Sequence, residues 1–107
     1  MELKQYSIVL VNLDPTIGNK IKKTRPCVIV SPNEMNNFLR TIIVVPMTTN
    51  LKKYPTRVEV THNSEKGMIA IDQIRTIDKS RIIKKFNVLS KIEIQNCKNI
   101  IRETLVD

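Results

Sequence analysis

Apolar residues recur with the period of strands along most of this chain, and with the period of a helix only at its end. Tyr6-Ser7-Ile8-Val9-Leu10-Val11-Asn12-Leu13 is rich in β-branched residues, and turn chemistry breaks it at Asp14-Pro15-Thr16-Ile17-Gly18. Cys27-Val28-Ile29-Val30 is a short apolar run stopped by Ser31-Pro32-Asn33, as expected of a central strand. Thr41-Ile42-Ile43-Val44-Val45 repeats that pattern and ends near Pro46. From Thr56 to His62, Val58 and Val60 alternate with Arg57, Glu59 and Thr61, which predicts a strand with one wet face. A fifth strand is predicted from Met68 to Ile74, after Gly67, and a sixth short piece from Ile82-Ile83 and Phe86 to Leu89.

The period changes at Ser90. Ser90 followed by Glu93 is a capping-box signature, in which hydroxyl and carboxylate satisfy each other's free backbone amides. Beyond it, Ile94, Cys97, Ile101 and Leu105 fall on one helical face. Short strands with turn signals every roughly 8–12 residues, then one helix, predict a mainly β (α+β) fold. The expected form is a small, curled antiparallel barrel, with strands over roughly 5–89 and a C-terminal helix over roughly 90–105. No repeat, low-complexity tract or linker divides the chain, so residues 1–107 are read as a single domain.

Composition narrows the function classes. Hydrophobic residues make up 41% of the 107, too many for a disordered basic tail and enough for a core without metals or disulfides. The longest strongly apolar runs, such as Ile42 to Met47, fall far short of a membrane span, and Met1 to Gln5 does not open a signal peptide. A cytoplasmic protein with no membrane partner is therefore expected. Cys27 and Cys97 form neither a Cys-x-x-Cys pair nor a staple framework and are read as buried, reduced thiols. His62 is the single histidine, too few nitrogen ligands for a structural zinc site, and is read as a structural side chain on the Val58/Val60 face.

The net charge of +8 is unevenly placed: residues 1–85 carry 15 basic and 7 acidic side chains, residues 86–107 carry 3 of each. Between 19 and 57 there are eight basic residues against Glu34 alone, which favours a polyanion and makes nucleic acid the leading candidate. The conventional catalytic constellations are missing. Gly18 and Gly67 are the only glycines, and Asp14, Asp72 and Asp78 suggest no two-metal site. Cleavage by such a chain is expected to use neither metal nor histidine, and no cofactor is implied.

RNA makes that feasible, because its 2′-hydroxyl is the nucleophile. The protein then needs only to align that oxygen with the phosphate and stabilise the charge that develops. Arginine suits the task, since its planar fork makes paired hydrogen bonds to phosphate and stays charged. Arg25 is the favoured candidate: Pro26 restricts it to extended backbone, directly before the strand at Cys27 and within the most basic region. A neighbouring hydroxyl can add a donor to the same oxygens, but Thr48, just beyond the strand ending at Pro46, is unremarkable by itself. Gln73 and Arg75, two apart, are expected to share one strand face and to meet a base edge together.

Four stretches carry a resemblance to a known family. They are Val11 to Gly18, then Lys23-Thr24-Arg25-Pro26 running on to Asn36, with Val45-Pro46-Met47-Thr48 and Asp72-Gln73-Ile74-Arg75 running on to Arg81. In this order they closely resemble the MazF/PemK-type toxins of bacterial toxin–antitoxin modules, over essentially the whole chain. The resemblance implies a Src-homology-3-like barrel of the MazF/CcdB type and a homodimer. It implies a sequence-specific endoribonuclease (an mRNA interferase) that cuts single-stranded RNA without metal, leaving a 2′,3′-cyclic phosphate (or 3′-phosphate) and a 5′-hydroxyl. Carried over by residue, Arg25 becomes the main catalytic group and Thr48 its partner on the scissile phosphate. RNA contacts fall to Asn19, Lys20, Lys23 and Thr24 in one loop, Asn50, Lys52 and Lys53 in another, and Gln73 and Arg75. Many relatives carry a glutamate where this chain has Lys20, so any acid–base role for that loop is absent here or filled elsewhere.

A toxin of this kind implies an acidic, partly disordered antitoxin that covers the basic segment, with DNA met only indirectly through that antitoxin. A gyrase-poisoning toxin of the same fold, without nuclease activity, is the alternative, because fold alone does not decide function. A nonspecific single-strand binder is a third possibility, and it would need exposed aromatic rings from among Tyr6, Phe38, Tyr54 and Phe86.

Overall fold

In the computed structural model, which describes residues 2–13 and 24–107, the β-branched runs pair as antiparallel strands. These are β1 (Ser7–Asn12), β2 (Thr24–Ile29), β3 (Thr41–Thr48), β4 (Arg57–His62), β5 (Glu65–Ala70), β6 (Arg75–Asp78) and β7 (Ile82–Val88). Among the described residues they form a seven-stranded sheet in the order β4-β5-β3-β2-β1-β7, with β6 also paired to β3. The expected strand-rich, curled fold with a C-terminal helix is the one observed. The predicted turn at Asp14 to Gly18 lies outside the described residues.

The sheet curls on β3. One edge of β3 pairs with β2, while the other is shared, Thr41 to Val44 against β6 and Met47 and Thr48 against β5. The strand predicted from Met68 to Ile74 accordingly stops at Ala70, and β6, which the apolar pattern does not predict, begins at Arg75, beyond a bend. Ile71–Gln73 bends into a 3-10 turn in which the Ile74 amide donates to the Ile71 carbonyl at 3.2 Å. Contacts from outside the segment hold that bend: the Ile71 amide donates to the Thr56 carbonyl at 3.1 Å, and Asp72 is tied to Thr56 and Arg57. Nothing in the local apolar pattern announces it.

Central strands are buried on both faces, which is why they read as unbroken apolar runs. Ile8, Val28, Val45, Val58, Val60 and Ile69 point into one cluster; Val9, Val11, Cys27, Ile29, Ile42, Val44 and Ile77 point into the other. Burying each of these side chains stabilises the fold by about 1.5–3 kcal/mol.

The first cluster is covered by α2 (Lys91–Ile101), whose Cys97 is fully buried and whose Ile94, Ile100 and Ile101 pack against it. The capping box forms as expected: the Ser90 hydroxyl accepts the Glu93 amide at 3.2 Å, and the Glu93 carboxylate accepts the Ser90 amide at 3.0 Å. The α-helix ends at Ile101 and continues as a wider π-helical turn over Arg102–Val106, which leaves Leu105 exposed rather than on the buried face.

Three further boundaries differ from the pattern. The sixth piece is continuous, because Lys84 and Lys85 face solvent on an outer strand and mask its strand character. β5 starts at Glu65, since the turn from β4 consumes only Asn63 and Ser64, both in the left-handed region at φ 52° and 64°. A short helix, α1 (Asn33–Phe38), follows Pro32. The Asn36 carboxamide holds it, donating to the Leu3 and Ser31 carbonyls at 3.0 Å each and pairing with the Ser31 hydroxyl. Six residues are too few to show a helical period.

Candidate nucleic-acid interface

β2 enters the sheet through Thr24 and Arg25, both exposed, with Arg25 opposite Val11 of β1. On its other side β2 pairs with β3 from Cys27↔Pro46 inward. Continuing that register past Pro26, which has no amide hydrogen for a ladder bond, sets Arg25 opposite Thr48. Both belong to the face that carries Cys27, Ile29 and Val44 further along. Arg75 opens β6 opposite Val44 and shares the same face through Ile77.

Cys27 marks where these strands converge. Burial pushes its thiol up to about 12, while the positive charges of Arg25 and Arg75 both pull it down and are outweighed. The thiol also donates to the Arg25 carbonyl at 3.6 Å. Two guanidinium groups from different strands therefore act on one buried sulfur, and both stay exposed with no ion-pair or hydrogen-bond partner among the described residues. Both cysteines are free and buried, as the sequence predicts.

Thr48 begins a shaped loop. Its hydroxyl oxygen accepts the Asn50 amide at 3.2 Å, and the Asn50 side-chain oxygen accepts the Lys52 amide at 3.0 Å. These two turns carry the chain away from β3 and leave the Thr48 hydroxyl hydrogen without an acceptor among the described residues. Further along, Tyr54 has the Lys52 ammonium 5.3 Å and the Arg57 guanidinium 5.1 Å from its ring centre, and remains 42% exposed.

The far end of this loop is clamped to the bend between β5 and β6. Asp72 accepts from the Thr56 hydroxyl at 2.8 Å and from Arg57 Nε at 3.0 Å. Partial burial pushes the Asp72 carboxyl up, but the hydrogen bonds from Arg57 and Thr56, with the Arg57 charge, outweigh it and hold the group below its ordinary value. Asp78 is occupied separately, accepting the Ser80 amide at 2.8 Å.

The structure thus brings Arg25, Thr48 and Arg75 to one face, with Thr24 beside Arg25 and Asn50, Lys52 and Lys53 on the loop that leaves Thr48. Gln73 is exposed but lies in the 3-10 turn, so it does not share a strand face with Arg75 as the two-residue spacing suggests. Asn19, Lys20 and Lys23 lie outside the described residues. The pairing of Asp72 with Thr56 and Arg57 escapes the sequence because it spans 15 and 16 residues and no local motif marks it. His62 sets its ring edge-on to Phe86 at 4.9 Å between centres, in keeping with a structural side chain. Among the described residues, no three His, Cys, Asp or Glu side chains gather where they could hold a metal ion, and no helix is long and apolar enough to cross a membrane.

Comparison with known proteins gives a consistent picture. Residues 4–105 match the profile of the PemK-like, MazF-like toxins of type II toxin–antitoxin systems. A protein of Staphylococcus epidermidis named endoribonuclease MazF is 33% identical over 107 residues, covering 92% of this chain and 89% of that protein. One of the same name from Staphylococcus saprophyticus is 31% identical over 105 residues, covering 92% and 88%. Among solved structures, a MazE–MazF complex from Deinococcus radiodurans superposes with a TM-score of 0.84 at 21% identity, covering 98% of this chain and 96% of that one. A mycobacterial endoribonuclease in complex with its cognate antitoxin superposes with a TM-score of 0.82 at 18% identity, covering 95% and 93%. At those identities the superpositions speak for the fold.

Proposed function

This chain belongs to the PemK-like, MazF-like toxins of type II toxin–antitoxin systems, and from that membership we propose that it is a metal-independent, sequence-specific endoribonuclease acting on single-stranded RNA. The observation that supports the reading is the β2–β3 register, Cys27↔Pro46 to Ile29↔Val44, which when continued sets Arg25 opposite Thr48, with Arg75 on the same face. The RNA's own 2′-oxygen attacks the adjacent phosphorus as its proton leaves. The bond from phosphorus to the 5′-oxygen breaks, and that oxygen takes up a proton. The products are a 2′,3′-cyclic phosphate and a 5′-hydroxyl.

In that scheme Arg25 sets its fork on the non-bridging oxygens and meets the negative charge that grows on them. Thr48 donates its unused hydroxyl hydrogen to the same group. Lys52, Lys53 and Arg75 hold the flanking backbone, while Asn50 and Gln73 face the bases. Deoxyribose at the cut site leaves no nucleophile, so DNA is spared.

The same basic surface, carried on a homodimer in the cytoplasm, is the seat of an acidic antitoxin. Charge complementarity supports that partner, as do the fold neighbours solved with antitoxins. Incubation of the purified protein with a long defined RNA in EDTA, with end-sequencing of the fragments, tests the whole reading. Discrete cuts with 5′-hydroxyl ends are expected, and they disappear with Arg25→Ala. Loss of cleavage on chelation, or full activity of Arg25→Ala, overturns the mechanism.

A further inference from the structure

Tyr54 presents an exposed ring that its neighbours hold in place. Its carbonyl oxygen accepts the Arg57 amide at 3.0 Å, closing a four-residue turn with Pro55 in second position, where the fixed φ of proline suits the turn. The Arg57 guanidinium lies 5.1 Å from the ring centre. That guanidinium is itself fixed, because Nε and Nη2 donate to the two oxygens of Asp72 at 3.0 and 3.5 Å and the side chain is only 12% exposed. The Lys52 ammonium, 5.3 Å from the same ring centre, has no carboxylate partner among the described residues.

Register sets this ring near Thr48. Thr48 pairs with Met68, and Met68 with Glu59, so the three share one face of the sheet. Arg57, two residues before Glu59 in β4, shares that face. It stands two strands across from β3, roughly 10 Å, and two residues along, roughly 7 Å. The other aromatic rings are placed differently. Tyr6 is buried, and Phe86 packs against the core beside His62. Phe38, at the end of α1, precedes β3 and so lies at the opposite end of that strand from Thr48.

A flat ring braced by a fixed guanidinium, with an unpaired ammonium beside it, matches a nucleotide in two ways. Its open surface stacks a base, and the ammonium meets the phosphate. We infer that Tyr54 is the stacking platform for a base flanking the scissile phosphate, with Lys52 on the phosphate of that nucleotide. The inference rests on the endoribonuclease reading and deepens it. Arg57 and Asp72 are then positioning residues, which act through the ring. Stacking accepts any base, because every base has a π-face, so the platform adds affinity and leaves selection to polar groups around it.

The test measures binding of an RNA that spans the mapped cut site and carries deoxyribose there, so that it is held without being cut. Tyr54→Leu keeps apolar bulk and loses the ring, whereas Tyr54→Phe keeps the ring and loses the hydroxyl. Tyr54→Leu is expected to weaken binding about 5- to 150-fold, and Tyr54→Phe by no more than a few-fold. The slope of log Kd against log salt is expected to stay at the parent's value in Tyr54→Leu and to fall by about 0.7 in Lys52→Gln. With 2-aminopurine placed at successive flanking positions, one position is expected to be dimmer when bound by the parent or Tyr54→Phe than by Tyr54→Leu. Parent-like affinity in Tyr54→Leu overturns the inference, as does an equal loss in Tyr54→Phe. So does a Tyr54→Leu variant that loses hold of the antitoxin alone, since the ring is then a protein anchor. A parent protein that neither cuts the all-ribose RNA nor binds its deoxyribose form overturns instead the endoribonuclease reading beneath.

Discussion

The carboxylate of Glu93, in the first turn of α2, accepts the backbone amide of Thr61 in β4 at 3.1 Å. Its other oxygen completes the capping box with Ser90. A helix-capping residue thereby also satisfies an amide of β4, the end strand in the sheet order, and joins the C-terminal element to the β4–β5 hairpin. Strand edges left open invite pairing with other chains, so this contact also closes part of one.

Glu93→Ala removes both roles. The cap contributes about 0.5–2 kcal/mol and the hydrogen bond to Thr61 about another 1 kcal/mol. Urea unfolding is expected to show a loss of about 1–3 kcal/mol with an unchanged slope. A loss no larger in Glu93→Ala than in Ser90→Ala shows that the contact with β4 contributes nothing.

Thr48→Val keeps the shape of the side chain and removes its hydrogen-bonding hydrogen. A hydrogen bond to a charged group is worth about 1.5–3 kcal/mol, so kcat is expected to fall about 10- to 100-fold. Thermal stability should shift little, because the exposed Asn50 amide can turn to water. An activity close to the parent's would remove Thr48 from the phosphate.

Asp72 gives a pH signature. Its carboxyl is held below the ordinary value of 3.8 in the folded protein. The stability it contributes is therefore complete above that value and is lost as pH falls through the lower, folded value. Its side chain is 37% exposed, so solvent screening keeps the contribution modest. Unfolding of the parent and of Asp72→Asn should differ at pH 7, and the difference should vanish in strong acid. A gap that persists there would assign the effect to packing.

Ser64 sits at φ 64° in the two-residue turn between β4 and β5, a conformation that glycine adopts without penalty. Ser64→Gly makes the turn Asn-Gly and is expected to stabilise the fold by about 0.5–1 kcal/mol, read as a rise in Tm of a few degrees. An unchanged or lower Tm contradicts relief of strain at this residue.

Much of this was legible in residues close along the chain. Unbroken β-branched runs marked strands at Ser7–Asn12 and Thr41–Thr48, because central strands are buried on both faces, and period-2 alternation marked Arg57–His62, because side chains alternate across a sheet. Ser90 and Glu93 announced the start of α2, because a capping box is a bargain between residues three apart. The bend at Ile71–Gln73 was not legible: its anchors, Thr56 and Arg57, lie some fifteen residues upstream. Nor was the fate of Leu105, which keeps helical spacing in the sequence yet emerges into solvent where the last turn widens.

The sequence by itself marked most of the strands and the C-terminal helix, the location of the excess charge and the candidacy of Arg25, all of which depend on local pattern and chemical type, while Thr48 became a candidate through the family resemblance. Only the tertiary structure decided that β3 is shared by β2, β5 and β6, and hence that Arg25, Thr48 and Arg75 meet on one face while Gln73 turns out of its strand. The need for glycine at Gly67 is likewise a product of register, since a Cβ there would lie 3.0 Å from the Thr48 carbonyl oxygen of the strand paired beside it. Strand pairing joins residues by hydrogen bonds between distant segments, and no spacing along a single chain records which segments will meet.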